Sequence, residues 1–358
     1  MSKQRVMVAM SGGVDSSVAA YLLLKAGYEV CGATLQIWQL EQKQCGSCCG
    51  NEAVDDAREV ARKLGIPHYV LNYRQEFAEK VIDFFCAEYL KGRTPNPCIA
   101  CNRHIKFGGM LDQARAIDMD FLATGHYARI KQDDARRRYL LYQGLDKRKD
   151  QSYVLYNLEQ EQLKHLLLPL GDYSKPQIRE IAHEIGLAVA DKPESQEICF
   201  IPDNDYGAFV KNRRPDALQP GTIEETNGNI LGYHQGIANF TIGQRKGLGL
   251  AAGRPLYVVA IDADRRAVIV GDNQEVFAGY CLAEDMNWIT IPELQSALEV
   301  EAKIRYTAPP APAVITPTAD GVEVKFVNPV RAITPGQAIV FYQGDLVIGG
   351  GTIKQVRR

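Results

Sequence analysis

The sequence lacks the marks of a secreted or membrane-spanning chain. No run approaches the roughly 20 consecutive apolar residues that a transmembrane helix needs, and the opening stretch MSKQRVMVAMSGG has neither a long apolar segment nor a small-residue cleavage site. A large excess of one charge is also missing, because 41 Lys and Arg stand against 43 Asp and Glu. We therefore expect a cytoplasmic protein without a membrane partner, in which any nucleic acid is bound by local basic patches.

The use of cysteine is informative. The chain of 358 residues contains nine cysteines, an odd number in clustered spacings. Without a secretory signal, a disulfide framework explains them poorly, and thiols used for metal, sulfur or redox chemistry fit better. The apolar fraction of 46% and the charged fraction of 23% are those of a globular protein, and the length indicates two or three domains.

The hydrophobic pattern changes near residue 205. Before it, apolar runs such as RVMVAM at 5–10 alternate with segments of helical spacing, which predicts an α/β doubly wound parallel sheet. After it come glycine-rich turns and short strands, and LEVEAKIRY at 298–306 alternates as a barrel strand does. We interpret the Pro-rich stretch TAPPAPAVITP as a loop with extended edges. The predicted domains are an α/β domain at 1–204, a central β-rich domain at 205–272 and a β-barrel at 273–358.

A glycine turn, MSGGVDSS at 10–17, separates the first predicted strand from the first helix. Its glycines allow a ligand to approach the backbone, and the N–H groups that open a helix favour an anion. Asp15 would repel a bare phosphate, unless it helps to hold Mg²⁺ or organises the turn. The stretch matches neither the Walker A pattern nor G-x-G-x-x-G. It therefore predicts a phosphate loop of another kind, with an ordinary βα turn as the alternative.

Three cysteines are candidates for chemistry. Cys98 and Cys101 follow two prolines in TPNPCIACN, and Cys199 lies in EICF. The spacing alone leaves open a metal site, a redox pair or a nucleophile with a neighbour. A second C-x-x-C, formed by Cys45, Cys48 and Cys49 in CGSCCG, could join the first in a zinc site. The separation of the two pairs, however, exceeds the roughly 15–20 residues of ribbon-type sites, so a loop of thiols is the simpler interpretation.

Several longer blocks carry a family resemblance. SGGVDSS resembles the pyrophosphate loop of the PP-loop ATP pyrophosphatase superfamily, whose members adenylate a carbonyl oxygen. GRTPNPCIACNRHIKFG, ATGHYAR, KDQSYVL, ESQEICFIP, TIGQRKGLGL and ITPGQAIVFY resemble, in order, blocks of the tRNA-specific 2-thiouridylase (MnmA/TrmU) family. The resemblance implies an ATP-dependent tRNA sulfurtransferase, which converts the wobble uridine to 2-thiouridine through an adenylated base. Two other hypotheses are a PP-loop ligase or amidotransferase with a nitrogen nucleophile and a non-catalytic, zinc-stabilised RNA-binding protein.

The resemblance also implies roles for individual residues. Cys199 would carry a persulfide, and Cys101 would attack it, releasing sulfide or forming a disulfide with Cys199. Magnesium would accompany the ATP phosphates. The implied ATP contacts are Ala9, Met10, Ser11, Gly12, Gly13, Val14, Asp15, Ser16, Leu35 and Gly125. The implied neighbours of the target base are Asn96, Pro97 and Cys98. The implied tRNA contacts are His126, Lys149, Asp150, Gln151, Arg305, Tyr306 and Gln337.

Cys98 departs from the pattern of many family members, which carry Asp at this position. With Cys98 present, the three thiolates of Cys98, Cys101 and Cys199 suit a 4Fe–4S cluster whose open iron could bind sulfide. We favour the cluster over a persulfide route without metal, while a small buried Cys98 is the plain alternative.

The family also implies partners. These are tRNA, in particular the tRNAs for Glu, Gln and Lys, and a sulfur donor such as a cysteine desulfurase or a sulfur-relay protein. The residues themselves offer one candidate surface for RNA. The stretch 129–149 has eight Lys and Arg against three Asp, a local charge of +5. Such a stretch predicts a phosphate-binding patch, with a solvated hairpin as the alternative.

Overall fold

The computed structural model describes residues 3–38, 51–193, 198–201, 205–215 and 218–357. The chain divides into two units. The first comprises Met1–Val81, Cys98–Pro202 and Asp345–Val347, and the second comprises Ile82–Pro97, Asp203–Gly344 and Ile348–Arg358. In the described ranges, no helix is both long enough and apolar enough to cross a membrane.

A parallel sheet forms the centre of the first unit. Its strand order within the described ranges is β3-β2-β1-β4-β7, and all neighbouring pairs are parallel. Strands β2 and β3 therefore lie on one side of β1, and the later strands β4 and β7 lie on its other side. This reversal creates a crevice at the carboxyl end of β1, where sheets of this kind bind ligands. The strands are β1 Arg5–Ala9, β2 Glu29–Gln36, β3 His68–Asn72, β4 Phe121–Ala123 and β7 Leu166–Leu167.

Helices α1, α2 and α8 cover the sheet. Val18 and Ala19 of α1 are fully buried against Val6 and Val8 of β1, and Ile178 of α8 joins the same core. Helical spacing of these apolar residues explains why the segments fold as they do. The α-helices within the described ranges are α1 Val14–Lys25, α2 Asn51–Leu64, α3 Arg74–Phe77, α4 Phe84–Leu90, α5 Pro97–Cys101, α6 Leu111–Ala116, α7 Gln160–Lys164, α8 Lys175–Glu184 and α9 Tyr206–Arg213.

Two stretches of π-helix interrupt these helices. One, Ala78–Asp83, joins α3 to α4, and the other, Asn102–Met110, joins α5 to α6. The second begins directly after Cys101 and buries Ile105 and Phe107. Short π-helical turns often occur at functional sites, so this one draws attention to the cysteine before it.

The first unit also contains an antiparallel hairpin. Strand β5, Ala128–Asp133, pairs with β6, Arg138–Gln143, over six residue pairs. These strands contain much of the basic stretch identified in the sequence. The short segment Asp345–Val347 adjoins the hairpin, where Leu346 pairs with Tyr142.

The second unit contains a four-stranded sheet with the order β10-β11-β8-β9. Ile223, Val258, Val268 and Val270 are buried beneath it. Helix α9 comes just before this sheet in the chain, and Asp205 caps it by accepting a hydrogen bond from Ala208 N at 2.8 Å. The strands are β8 Gly221–Glu225, β9 Ile230–His234, β10 Tyr257–Asp262 and β11 Ala267–Gly271.

The carboxyl-terminal strands of the second unit close into a barrel. Strands follow the order β12-β15-β14-β13-β16-β17, and β12 also pairs with β17. The predicted alternation is confirmed at Val300, Ala302 and Ile304, which are buried, but Tyr306 lies beyond the end of β13 and is 39% exposed. The strands are β12 Phe277–Trp288, β13 Leu298–Lys303, β14 Ala311–Thr318, β15 Gly321–Arg331, β16 Ala338–Gln343 and β17 Leu346–Arg357.

The interpretation of the Pro-rich stretch as a loop was wrong for most of its length, because it forms strand β14. Pro312 pairs with β13 beyond the point where pairing with β15 stops, and Pro317 pairs with β15 beyond the last pair with β13. Each proline therefore lies where β14 has one neighbour only. A missing N–H costs no ladder hydrogen bond at such positions.

Candidate nucleotide and thiol site

The glycine turn 10–17 lies at the carboxyl end of β1, where it leads into α1. Ser11 N–H donates to Ser16 Oγ at 3.1 Å, and Ser17 Oγ donates to Gly13 O at 2.8 Å. Gly12 has φ of +69°, and a Cβ there would lie 2.4 Å from Ala53 O. A side chain at position 12 is thus excluded both by conformation and by space. The turn leads directly into α1, and the N–H groups at the start of a helix favour an anion.

Asp15 is held by two residues that are distant in sequence. Lys175 Nζ lies 2.7 Å and 2.8 Å from its two carboxylate oxygens, and the Tyr127 hydroxyl donates to Oδ1 at 2.7 Å. Lys175 is buried, with 7% of its surface exposed. Of the two roles considered for Asp15, organising the turn is therefore the one that the contacts display.

Sequence reasoning missed Lys175 and Tyr127. One signal was present, because Lys175 is the first residue of α8, directly after the N-cap Ser174. A cation is unfavourable at the positive end of a helix dipole. A lysine at that position therefore suggested an anionic partner elsewhere, which the structure identifies as Asp15.

The other predicted ATP contacts lie close to this turn. A Cβ on Gly125 would be 2.8 Å from Ser16 N, so the loop after β4 touches the start of α1. Ala9 pairs with Ala33 of β2, and Met10 O accepts a hydrogen bond from Thr34 Oγ1 at 2.8 Å. Leu35 follows on the same strand and is half-buried. The structure thus brings Ala9 to Ser16, Leu35 and Gly125 to neighbouring strand ends.

His126 lies in the loop after β4, close to Thr124 and Phe107. Its Nδ1 is 2.6 Å from Thr124 Oγ1, and its ring centroid is 5.8 Å from that of Phe107. Burial lowers the pKa of His126 well below its usual value of 6.5, and the nearby Lys106 lowers it further. The ring is therefore suited to hydrogen bonding or stacking with RNA rather than to pairing with a phosphate as a cation.

The candidate thiols differ in exposure. Cys98 is exposed, Cys101 is buried and Cys199 is half-buried. Cys98 and Cys101 lie three residues apart on α5, so they share one face of that helix. Beside Cys199, Phe200 packs edge-on against Phe77 with centroids 5.7 Å apart.

The three thiols do not form a cluster-binding set in this structure. Among the described residues, no group of three His, Cys, Asp or Glu side chains is placed to hold a metal ion. The described residues therefore do not show a 4Fe–4S site on Cys98, Cys101 and Cys199, and the cluster stays a prediction. No disulfide joins cysteines within the described ranges either. The second C-x-x-C, with Cys45, Cys48 and Cys49, lies outside the described residues.

The remaining described cysteines belong to the core. Burial raises the pKa of the Cys86 thiol to about 11, with a further contribution from Asp83, and burial alone raises the pKa of Cys281 to about 12. Burial also raises the pKa of Cys31. Thiols of this kind are poor nucleophiles, because the thiolate is the reactive form.

Two of the three predicted tRNA contacts at 149–151 have side chains that form hydrogen bonds within the protein. Asp150 is buried and accepts hydrogen bonds from Gly144 N at 3.0 Å and from Ser152 Oγ at 2.8 Å. Gln151 Oε1 accepts a hydrogen bond from Tyr127 N at 3.0 Å. Both side chains thus stabilise the fold around the crevice, and their contact with tRNA stays a prediction, as does that of Lys149.

The predicted contacts of the second unit also have internal partners. Arg305 Nη2 is 3.0 Å from Ile242 O and 3.1 Å from Ala332 O, and Gln337 Nε2 donates to Thr94 O at 2.8 Å. Tyr306 differs from them because its ring is partly exposed, with Lys303 Nζ 5.6 Å from the centroid. Of these three side chains, Tyr306 is the one displayed for stacking on a base.

The basic stretch 129–149 is partly neutralised by acids. Arg129 pairs with Asp345 at 3.1 Å, and Lys147 pairs with the same carboxylate. The hydrogen bond from Lys147 lowers the pKa of Asp345 below its usual value. Exposed ion pairs are weak, so these cations can still exchange a carboxylate for a phosphate.

The fold and the site define a class. A phosphate-binding turn at the switch point of a parallel sheet, with a cysteine pair in the same unit, is the arrangement of a nucleotide-binding α/β enzyme that uses thiols. The sequence matches a family described as tRNA methyl transferase HUP domain over 4–203, a tRNA methyl transferase PRC-barrel domain over 207–272 and an aminomethyltransferase beta-barrel domain over 279–353. These matches confirm the predicted fold classes, whereas the predicted domain boundaries stay predictions.

Relatives make the identification specific. A tRNA-specific 2-thiouridylase MnmA from Acetivibrio thermocellus is 56% identical over 359 residues, which cover 99% of this chain and 100% of the relative. Another from Heliobacterium modesticaldum is 57% identical, with 98% of this chain and 92% of the relative covered. A solved 4-thiouridine synthetase–RNA complex with bound ATP shows only a distant likeness, with 20% identity, a TM-score of 0.36 and coverage of 60% of this chain and 51% of that one. The chain belongs to the tRNA-specific 2-thiouridylase family.

Proposed function

We propose that this chain thiolates the wobble uridine of tRNA in the cytoplasm, in an ATP-dependent reaction that yields 2-thiouridine, AMP and pyrophosphate. The observation that carries the proposal is the 56% identity, over 99% of the chain, to a tRNA-specific 2-thiouridylase. The alternatives, a ligase with a nitrogen nucleophile and a non-catalytic RNA-binding protein, are not favoured by such relatives. The proposed substrates are the tRNAs for Glu, Gln and Lys.

In the first step, the phosphate turn binds ATP. The uridine O2 forms a bond to the α-phosphorus, the bond to the β-phosphate oxygen breaks, and pyrophosphate leaves with the electron pair while the N3 proton is released. The N–H groups at the start of α1 and the buried ammonium of Lys175 supply positive charge for the phosphates. The uridine leaves the base stack, because its O2 is otherwise out of reach.

Magnesium would accompany the nucleotide. The Asp15 carboxylate is engaged by Lys175 and Tyr127, and the described residues provide no group of three side chains for a metal. The donors present therefore suit an ion bound chiefly by phosphate oxygens and water, which is the usual preference of Mg²⁺. When bound, the ion would neutralise charge on the leaving pyrophosphate.

In the second step, sulfur replaces AMP. The terminal sulfur of a persulfide on Cys199 attacks C2, and AMP leaves with the electrons of the C–O bond. The Cys101 thiolate then attacks the Cys199 sulfur, and the sulfur–sulfur bond breaks to leave the new sulfur on the base. A disulfide between Cys101 and Cys199 remains, which an external thiol reduces. The persulfide itself comes from a donor such as a cysteine desulfurase or a sulfur-relay protein.

A cluster on Cys98, Cys101 and Cys199 is the competing sulfur source. The cysteine at position 98 supports it, and the placement of the three thiols does not. We prefer the persulfide route for this reason.

The test compares metal-free protein with protein reconstituted anaerobically with iron and sulfide. Each sample receives unmodified tRNA, ATP and Mg²⁺, with either sulfide or a persulfide donor, and 2-thiouridine is quantified by nucleoside mass spectrometry. We expect activity of the metal-free protein with the persulfide donor. Activity of the reconstituted sample alone would establish the cluster instead. No 2-thiouridine under any condition would remove the proposed function.

A further inference from the structure

A turn of the second unit, Thr334–Gln337, forms hydrogen bonds with the backbone of Thr94. Thr94 N–H donates to Pro335 O at 2.9 Å, and Gln337 Nε2 donates to Thr94 O at 2.8 Å. Gly336 lies between these two bonds with φ of +88°, and a Cβ there would be 2.9 Å from both Thr94 N and Arg93 Cβ. The turn therefore satisfies both polar groups of one peptide residue and leaves no room for a side chain at position 336.

The turn is itself held on both sides. Gly336 N–H donates to Ile353 O, and Ile353 N–H donates to Gln337 O, each at 2.8 Å. Thr334 is 1% exposed, and its Oγ1 lies 2.5 Å from Arg305 Nη2. Buried hydrogen bonds of this kind are costly to break. These hydrogen bonds fix the backbone at Gln337, so its side chain extends from a rigid turn.

A second anchor precedes Thr94. Arg93 forms ion pairs with Glu88 at 2.7 Å and with Glu284 at 3.0 Å. Glu88 is buried, with 7% of its surface exposed, and Lys91 pairs with it as well. The chain is thus fixed at two successive residues, 93 and 94.

Fixing Thr94 determines the course of the residues that follow it. Pro95 and Pro97 have restricted φ angles, and each also restricts the residue before it. Only four residue steps, or at most about 14 Å of extended chain, separate Thr94 from Cys98. The backbone conformation set at Thr94 therefore restricts Asn96 and Pro97, which belong to the same unit.

We propose that Gln337 is a positioning residue, which holds Asn96 and Pro97 in the conformation needed for reaction through its hydrogen bond to Thr94. The inference rests on the proposed function, because these two residues are among those expected beside the target base. It assigns Gln337 a task within the protein before tRNA binds. The family resemblance alone implied a direct contact with tRNA.

The test replaces Gln337 by Glu, which preserves size and removes the donor. In protein without RNA, amide hydrogen exchange followed by mass spectrometry reports on the segment 92–101, and tryptic cleavage after Arg93 reports on its opening. We expect exchange at Thr94 and Asn96 to accelerate about tenfold, as loss of one hydrogen bond implies. We also expect kcat for thiolation to fall at least about fivefold, with KM for tRNA changed less than twofold.

The matched control is Gln343→Glu. Gln343 Nε2 also donates to a backbone carbonyl, Glu299 O at 3.1 Å, and the residue lies on the same barrel. We expect this variant to leave exchange of 92–101 and kcat unchanged. Unchanged exchange in Gln337→Glu would overturn the inference, as would faster exchange with an unchanged kcat. A rise in KM for tRNA with no other change would overturn it as well and would indicate that Gln337 contacts tRNA directly. A wild-type protein that makes no 2-thiouridine would instead count against the proposed function.

Discussion

The two loops that matter most for the proposed reaction are stabilised in opposite ways. In the phosphate turn 10–17, the backbone from Ser11 to Ser17 is held by hydrogen bonds among Ser11, Gly13, Ser16 and Ser17, while the side chain of Asp15 is held by the distant Lys175 and Tyr127. The segment 92–98, which ends at Cys98, is held at Arg93 and Thr94 by residues 191 to 243 positions away, namely Glu284, Pro335 and Gln337. A self-contained loop can be recognised from a short pattern, whereas a loop held from a distance depends on the rest of the fold. The expectations below test this difference.

The largest effect is expected at the cysteine that ends α5. Cys101→Ser removes the thiolate that breaks the persulfide, so thiolation should fall at least about a thousandfold. ATP-dependent release of pyrophosphate in the presence of tRNA should continue, because the phosphate turn is untouched. Nucleoside mass spectrometry and a pyrophosphate assay separate the two steps. Cys281→Ala is the control for loss of a thiol, and continued thiolation by Cys101→Ser would contradict the assignment.

The next effect tests a distant contact of the phosphate turn, the pair of Asp15 and Lys175. Lys175→Met should lower kcat for pyrophosphate release by about a hundredfold, because a buried positive charge near the phosphates is lost. The unpaired Asp15 carboxylate also destabilises the protein, so a thermal melt is measured in parallel. Lys25→Ala, at the far end of α1, is the matched lysine control.

The double variant Asp15→Asn, Lys175→Met decides what the lysine does. If Lys175 binds phosphate, the double variant should recover thermal stability and stay inactive. Recovery of pyrophosphate release would show that the lysine merely neutralises Asp15.

A third experiment compares the reactivity of the Cys98 thiol with that of the core thiols Cys86 and Cys281. Iodoacetamide at pH 8 should alkylate Cys98 at least about fiftyfold faster than Cys86 or Cys281, because Cys98 is exposed and the pKa values of the other two are raised to about 11 and about 12. Peptide mass spectrometry gives the rate for each site. Comparable rates at Cys98 and Cys281 would mean that the barrel opens far more often than its burial indicates.

The smallest effect concerns acid stability. The pKa of His126 is lower in the folded state than its usual value of 6.5, so its contribution to the free energy of unfolding is present above pH 6.5 and is lost as the pH falls through the folded value. His126→Gln should therefore make urea unfolding less sensitive to pH below 6.5. His234→Gln is a comparison in the second unit, where burial also lowers the pKa. An unchanged pH profile in both variants would contradict the lowered pKa values of His126 and His234.

The sequence was sufficient for the parallel sheet and for the phosphate turn, because both depend on neighbouring residues. RVMVAM and SGGVDSS carry their own conformational preferences, and the structure places Ala9 to Ser16 as expected. Lys175 was missed because its partner lies 160 positions away. The family resemblance implied that Asp150 contacts tRNA, yet Asp150 is buried and accepts hydrogen bonds from Gly144 and Ser152 that no local pattern reveals.

The Pro-rich strand β14 shows a further limit. Proline argues against a central strand on average, and only the staggered ends of β13 and β15 make Pro312 and Pro317 acceptable. The stagger depends on the relative positions of three strands, so the sequence of one strand does not reveal it. The cluster on Cys98, Cys101 and Cys199, which was favoured because Cys98 departs from the family pattern, likewise depends on segments distant in sequence and stays a prediction.

The π-helical stretch Asn102–Met110 has a consequence for protein engineering. A π-helix bonds residue i to residue i+5, so it winds more slowly than an α-helix of equal length. Replacing it by an ideal α-helix could preserve the side chains of Ile105, Phe107 and Met110 and would still rotate α5 about its axis relative to α6. Cys98 and Cys101 would then face a different direction. The π-helical winding sets the rotation of α5 relative to α6. A redesign with a regular α-helix would make this stretch more stable and would change the direction in which the α5 side chains point.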